Sequence, residues 1–227
     1  MRVIASAWAV ASLALAGAGH AQIDGQAAIV SDDQYRGLSV SGGRAALELG
    51  LSYDSPFGVY AETSAAGART ADDGPQLVSV DGALGWARRF PSDVTADVGV
   101  TDYRRFAYDD GRHSTTDLEL YSGLRRHGLY MYLYYSPHYY LSGWRALYPV
   151  AGFDRSLGRS LHLFGHVGVL ARLDRSGLVA ARRPRPDAEV GLRWRVRGLD
   201  LFVAATGARS GPTEVSAPIT AGVSRAF

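Results

Sequence analysis

The chain has no cysteine, no lysine and, beyond its first two dozen residues, no long unbroken apolar run. The first absence rules out a disulfide framework and any thiolate metal site. The second leaves 24 basic residues that are all arginine, against 22 acidic ones. That near balance gives no electrostatic argument for a nucleic-acid partner. The third excludes a membrane-crossing helix, which needs ~20 consecutive apolar residues. Catalytic and metal signatures are missing too. There is no Gly-x-Ser-x-Gly frame, no phosphate loop and no cluster of metal ligands, since His113, His127 and His138 are scattered. No cofactor is therefore expected.

What is present starts at the two ends. Met1 to Ala21 joins Arg2 to an apolar stretch from Val3 to about Ala18, followed by the small residues Gly19 and Ala21. This is the pattern of a cleaved export signal, with the mature protein starting at Gln22. About 205 residues then remain, enough for one domain over 22–227. At the other end Ile219, Ala221 and Val223 share a strand face with the terminal Phe227, while Arg225 departs from the apolar pattern. A terminal aromatic on an amphipathic strand is what outer-membrane barrels present to the barrel assembly machinery, so Phe227 is read as an insertion signal.

Between the ends the hydrophobic period is two. Leu47, Leu49, Leu51 and Tyr53 alternate with Ala46, Glu48, Gly50 and Ser52. A turn at Asp54 to Gly58 leads into Val59, Ala61, Thr63 and Ala65 against Tyr60, Glu62 and Ser64. The pattern repeats with Val78, Val80, Leu84 and Trp86, with Val94, Ala96, Val98 and Val100, and with Leu118, Leu120 and Leu124. It continues through Leu129, Met131 and Leu133 against Tyr130, Tyr132 and Tyr134, and through Leu161, Leu163, Val167 and Val169. Val190, Leu192, Trp194 and Val196 and then Leu199, Leu201 and Val203 follow, and Ala217 to Phe227 closes the series. With a weaker segment from Trp144 to Phe153 and a first strand placed around Ala27 to Gly37, there are about twelve segments of roughly ten residues. Short turns alternate with longer polar connections at 71–75, 109–114, 174–186 and 209–213. An up-and-down antiparallel transmembrane β-barrel follows. A soluble sandwich also alternates, but its core would hold large residues. Here the apolar face is small to medium, aromatics (Tyr53, Trp86, Trp194, Phe227) sit near strand ends, and charge lies mid-strand on the other face.

The run Ser31-Asp32-Asp33-Gln34-Tyr35-Arg36-Gly37-Leu38-Ser39, with Arg44 to Glu48 and Tyr53 to Ala61 after it, resembles the opening of the TorF family of porins. The matching positions are Ser31, Asp32, Arg36, Gly37, Ser39, Gly58 and Tyr60. Ala45 and Glu48 depart, where proline and glutamine are common. The resemblance implies a porin-like outer-membrane barrel and no defined substrate.

If the apolar faces meet lipid, Glu48, Glu62, Asp81, Asp97, Asp117, Glu119 and Glu189 share the lumen with Arg125, Arg193 and Arg195. These are the expected pore-lining residues. Carboxylates early in the chain and arginines late suggest two oppositely charged walls, which either line a constriction or cross-link into a plug. Arg193, Arg195 and Arg197 form either a guanidinium track or a set paired with Asp187, Glu189 and carboxylates across the lumen. The expected function is passive diffusion of small hydrophilic solutes by a monomer in the outer membrane. A closed structural or surface-binding barrel is the alternative, and a barrel phospholipase using Ser160, His162 and His166 is the weaker rival. Arg182, Arg183 and Arg185, stiffened by Pro184 and Pro186 in the longest expected outer loop, either meet lipopolysaccharide phosphates or form a solvated loop with no specific contact.

Overall fold

The computed structural model describes residues 21–70, 74–106, 114–141, 144–173, 184–209, 215–216 and 218–227. The segment before Ala21, where the sequence reading expects an export signal, and most of the longer connections lie outside them. Alternation in the sequence produces twelve wall strands: β1 (Gln22–Val30), β2 (Ala46–Asp54), β3 (Val59–Thr70), β4 (Gly74–Arg89), β5 (Thr95–Arg105) and β6 (Thr115–Arg126), then β7 (Leu129–Ser136), β8 (Arg145–Ser156), β9 (Leu161–Leu173), β10 (Arg185–Val196), β11 (Leu199–Arg209) and β12 (Ile219–Ala226). Each pairs antiparallel with the next, and β12 returns to β1 with Gln26 opposite Ala226 and Val30 opposite Gly222. The sheet is a closed twelve-stranded barrel with no free edge, which is how a sheet satisfies its backbone without a partner chain.

The barrel is turned inside out relative to a soluble core. Leu47, Leu49 and Leu51 are 51%, 53% and 57% exposed, whereas Glu48 between them is 7% exposed. Asp97, Asp117, Glu119 and Arg193 are buried, while Leu118, Leu120, Leu124, Val190, Leu192 and Trp194 face out. At the end holding both termini the turns are tight. His127-Gly128 and Arg197-Gly198 have positive φ at both residues (49° and 75°, 50° and 81°), as two-residue hairpins demand. The chain has no asparagine, the residue other than glycine most at home there, so histidine and arginine take the first position. Tyr53, Phe57, Trp86, Phe90, Trp194 and Phe227 ring this end on the outside.

Two expectations are corrected. The first strand is Gln22–Val30, not Ala27 to Gly37. Its outward face is Ile23, Gly25, Ala27 and Ile29, too weak in apolar side chains to stand out, and the residues after Val30 leave the wall. Val78 was expected on the outer face, but it is 1% exposed and packs with Val30, Ala46 and Ala68. The cause is a bulge: Ala66 pairs with Ser79 and Gly67 with Leu77, so Val78 is the extra residue and turns inward.

The carboxyl terminus is pinned by its last residue. Phe227 N donates to Gly25 O, and Gly25 N donates to Phe227 O, both at 2.9 Å, extending the β1–β12 ladder by one pair. The phenyl ring lies over the outer side of Gly25, where any side chain would collide with it. Gly25→Val should unseat the ring and lower the temperature at which the compact band on an unboiled gel converts to the unfolded position. An unchanged conversion temperature would show that the ring contributes nothing to closure.

Candidate functional site

Residues 31–45 do not continue outward from β1. They fold back into the lumen at the end opposite the termini as a small hairpin in which Gln34–Tyr35 pairs with Leu38–Ser39. The turn is Arg36-Gly37, with φ of 51° and 73°, the same geometry as the two tight turns of the wall. Asp32 is its organiser: one carboxylate accepts from Gln34 Nε2 (3.0 Å), Ser39 Oγ (2.6 Å), Ser41 Oγ (2.8 Å) and Gly43 N (3.2 Å). Ser31 ties the segment to β12, donating its N–H to Ala221 O at 2.8 Å and accepting Ala221 N–H on Oγ at 3.0 Å. A side chain at Gly37 would run into Ala208 on β11. The Ser31, Asp32, Arg36, Gly37 and Ser39 pattern is therefore the specification of an inward-folded hairpin.

The hairpin delivers Arg36 to a buried acceptor. Arg36 Nη2 donates to Glu119 Oε2 at 2.6 Å, with the two side chains 3% and 1% exposed. The guanidinium lies 3.9 Å from the ring centroid of Tyr148 and 4.8 Å from that of Tyr35, so aromatic faces replace part of its lost hydration. Tyr35 packs on Tyr103 at 4.9 Å and on Tyr140 at 6.3 Å. Arg105, ion-paired with Asp81, covers the Tyr35 ring at 4.9 Å. Asp33 accepts from Ser79 Oγ at 3.5 Å and from its own segment, Val40 N donating to its backbone O at 2.7 Å. Burial pushes the Asp33 carboxyl up to about 6, against the lowering effect of Arg105.

Below the hairpin, toward the termini, the lumen is layered with tyrosine. Asp97 accepts from Tyr60 OH at 2.7 Å and Tyr132 OH at 2.9 Å; Tyr60 OH bonds to Tyr121 OH, and Arg125 Nε donates to Tyr132 OH at 2.7 Å. The rings fit because glycine stands opposite them on the next strand. Tyr132 lies across Gly123, its cross-strand partner, and Tyr130 across Gly152. This aromatic-on-glycine packing fills a strand position that would otherwise weaken the sheet.

A sequence model of a bacterial protein family of unknown function, Gcw_chp, matches residues 14–169. The chain belongs to the Gcw_chp family. The match spans the inward hairpin and nine of the twelve wall strands, β1 to β9, the last in part. The TorF-like run of residues 31–61 falls inside it. No curated protein matches the chain. Among solved structures the KdgM porin is similar over 92% of this chain and 99% of its own, with a TM-score of 0.54 and 11% identity. The NanC porin is similar over 91% of this chain and 99% of its own, with a TM-score of 0.54 and 11% identity. At such identity the likeness is one of fold, a porin-like barrel.

In this Gcw_chp barrel the expected lumen residues all lie on the inward face, but not as two opposed walls. Glu48, Asp81, Asp97, Asp117, Glu119 and Arg193 are buried; Glu62, Arg125 and Glu189 are half-buried; Arg195 is exposed near the turn end. Arg193 Nη1 pairs with Asp154 at 3.1 Å, and Arg195 pairs with Asp200 at 2.8 Å. The partners Asp187 and Glu189 expected for them instead hold His166, whose Nε2 lies 3.1 Å from Asp187. Same-face neighbours along a strand lie ~7 Å apart per step, which keeps Asp187 and Glu189 from the two arginines; Asp200 is the direct cross-strand partner of Arg195, and Arg193 reaches over β9 to Asp154 on β8. Arg197 occupies a turn. His162 faces Asp154 at 3.1 Å, and among the described residues no serine hydroxyl bonds to either histidine. Sequence reasoning missed Tyr35, Arg105, Tyr148 and Asp154. The inward tyrosine run was visible, but which strands meet which was not.

Glu119→Gln should leave Arg36 buried without its counter-charge. A loss of about 3–5 kcal/mol of barrel stability, or expulsion of the hairpin, is expected from breaking one partner of a buried pair. Denaturant titration in detergent micelles measures it. Arg36→Met combined with Glu119→Gln should recover most of the loss, and equal deficits in single and double variants would contradict the pairing.

Proposed function

We propose that the protein is a porin-like channel of the bacterial outer membrane that passes small hydrophilic solutes beside an inward-folded constriction. One observation carries the reading: a closed ring whose outer face is largely apolar and whose inner face holds carboxyl, guanidinium and hydroxyl groups. A soluble protein gains nothing from that inversion, whereas a bilayer requires it. The TorF-like hairpin supplies the constriction. Removal of Met1 to Ala21, insertion through the Phe227 strand by the barrel assembly machinery, and a monomeric form belong to the same reading. The turns then face the periplasm and the hairpin faces outward. Arg185 stands at that outer end, where lipopolysaccharide is the neighbour; Arg182 and Arg183 lie outside the described residues.

A second reading has its own support, because the Arg36–Glu119 pair and the tyrosine layers bury most of the lumen contents. On that reading the barrel is closed and serves as a structural or surface-binding element. Planar-bilayer recording separates the two. Discrete conductance steps from the refolded mature chain support the channel. Silence that gives way to conductance when residues 34–41 are replaced by a short glycine-serine link supports the closed barrel. Calcium-dependent phospholipid hydrolysis would support the phospholipase.

Charge selectivity is the finer test. Neutralising Arg193 and Arg195 leaves Asp154 and Asp200 unbalanced, so the reversal potential in a salt gradient should move toward cation preference. Neutralising Asp97 and Glu62 should move it the other way. Both shifts should shrink in molar salt, where screening falls to ~3 Å. Leu49 and Val98, exchanged for other apolar residues, should leave it unchanged.

A further inference from the structure

The outer wall carries a row of arginines at the end that holds the termini. Arg88 on β4, Arg126 on β6 and Arg155 on β8 each occupy one of the last two positions of their strand, share the outward parity of Trp86, Leu124 and Phe153, and are exposed. The register sets them level. Arg88 stands opposite Ala96, which stands opposite Leu124, two residues short of Arg126. Arg126 stands opposite Leu129, which stands opposite Phe153, two residues short of Arg155. A steady stagger toward the turns is what tilted strands need to hold three side chains at one height, with alternate strands ~10 Å apart. The row lies within the aromatic ring of this end: Trp86 and Phe90 flank Arg88, whose guanidinium carbon is 5.7 Å from the Phe90 ring centroid, and Phe153 and Leu157 flank Arg155.

None of the three has an ion-pair partner among the described residues. The carboxylates of this end are turned away from them: Asp24, Asp54, Asp154 and Asp200 have the inward parity of their strands, and Asp93 is held in a turn by Arg89 at 2.9 Å. At the opposite end the outward Arg104 is neutralised by its neighbour Asp102 at 2.7 Å. Arg225 also faces outward, but the chain's terminal carboxylate follows two residues later, so it is left out of the row. A guanidinium at the edge of hydrocarbon extends its charged head to headgroup depth, and a phosphate matches its fork of donors. Three cations in a row with no carboxylate beside them favour a headgroup of net negative charge over a zwitterion, whose own cation they repel. We infer that this row is a docking surface for anionic phospholipid, with phosphates on Arg88, Arg126 and Arg155 and acyl chains along the exposed Leu84, Leu124 and Met131. The inference rests on the porin-like reading in requiring that the outer wall meet a bilayer.

Fluorescence quenching in vesicles tests the surface without any need for conduction or for one orientation of insertion. With Trp144→Phe and Trp194→Phe, the mature chain keeps Trp86 as its one tryptophan, two residues from Arg88. The barrel is refolded into phosphatidylcholine vesicles containing either brominated phosphatidylglycerol or brominated phosphatidylcholine, and the quenching of Trp86 gives the relative affinity of the two lipids for that stretch of wall. The anionic lipid should be preferred about fivefold, the worth of one arginine at a charged surface. Arg88→Gln should remove about half of that preference, and Arg88→Gln with Arg126→Gln and Arg155→Gln nearly all of it, with the compact band on an unboiled gel retained. Molar salt should shrink it too, because screening falls to ~3 Å. Arg104→Gln, at the opposite end, should leave it unchanged. Equal quenching by the two lipids, or an undiminished preference in the triple variant, would overturn the docking surface and leave the membrane barrel standing. Quenching by neither lipid would place Trp86 off the bilayer and overturn both. A barrel that shows the preference yet stays silent in bilayer recording would sink the channel reading and keep the surface.

Discussion

Everything in this molecule depends on backbone pairing that closes on itself. In hydrocarbon an unpaired N–H or C=O costs several kcal/mol, so a sheet can stand there only if its first and last strands meet. The β1–β12 ladder, carried to the terminal residue by the reciprocal Gly25 and Phe227 bonds, is that meeting point. Once the ring is closed, strand parity decides the remainder. Every second side chain is committed to the outside and the others to an interior that must hold whatever the sequence places there.

The interior is solved locally. The buried arginines find carboxylates on other strands: Arg105 on Asp81 of adjacent β4, Arg193 on Asp154 of β8 across the intervening β9, and Arg36 of the hairpin on Glu119 of β6, while the exposed Arg195 pairs with Asp200 on adjacent β11. Such pairs offset desolvation only where geometry and extra contacts are good, and stacked tyrosines supply the extra contacts around Arg36 and Arg105. Tyrosine suits the place. Its ring lies flat over an inward glycine while its hydroxyl reaches a carboxylate, as Tyr132 does with Gly123 and Asp97. The hairpin is thus less an appended plug than the top layer of a continuous polar-aromatic filling.

The wall was readable in the sequence because its period is local. Leu47 to Tyr53, Leu118 to Leu124 and Leu129 to Leu133 each announce a strand and a face by themselves. Three things were not readable, for three physical reasons. The first strand exposes Gly25 and Ala27 where others expose leucine, so its signal is weak, and the polar turn chemistry of Ser31 to Gly37 was absorbed into it. Val78 turned inward because a bulge shifts parity without changing composition. The partners of Arg193 and Arg195 depend on which strands neighbour β10 and in what register. That is tertiary information, which no periodicity carries.

The central claim is the inversion of the faces around a closed ring. It is most directly tested by spin labelling, which the absence of native cysteine makes straightforward. Single cysteines placed successively from Asp117 to Arg125, in the barrel refolded into lipid vesicles, would each carry a nitroxide. Accessibility to oxygen dissolved in the bilayer should peak at 118, 120, 122 and 124, and labels at 117, 119, 121 and 123 should be immobilised and shielded from it. The same alternation with opposite phase, or no alternation at all, would contradict the account.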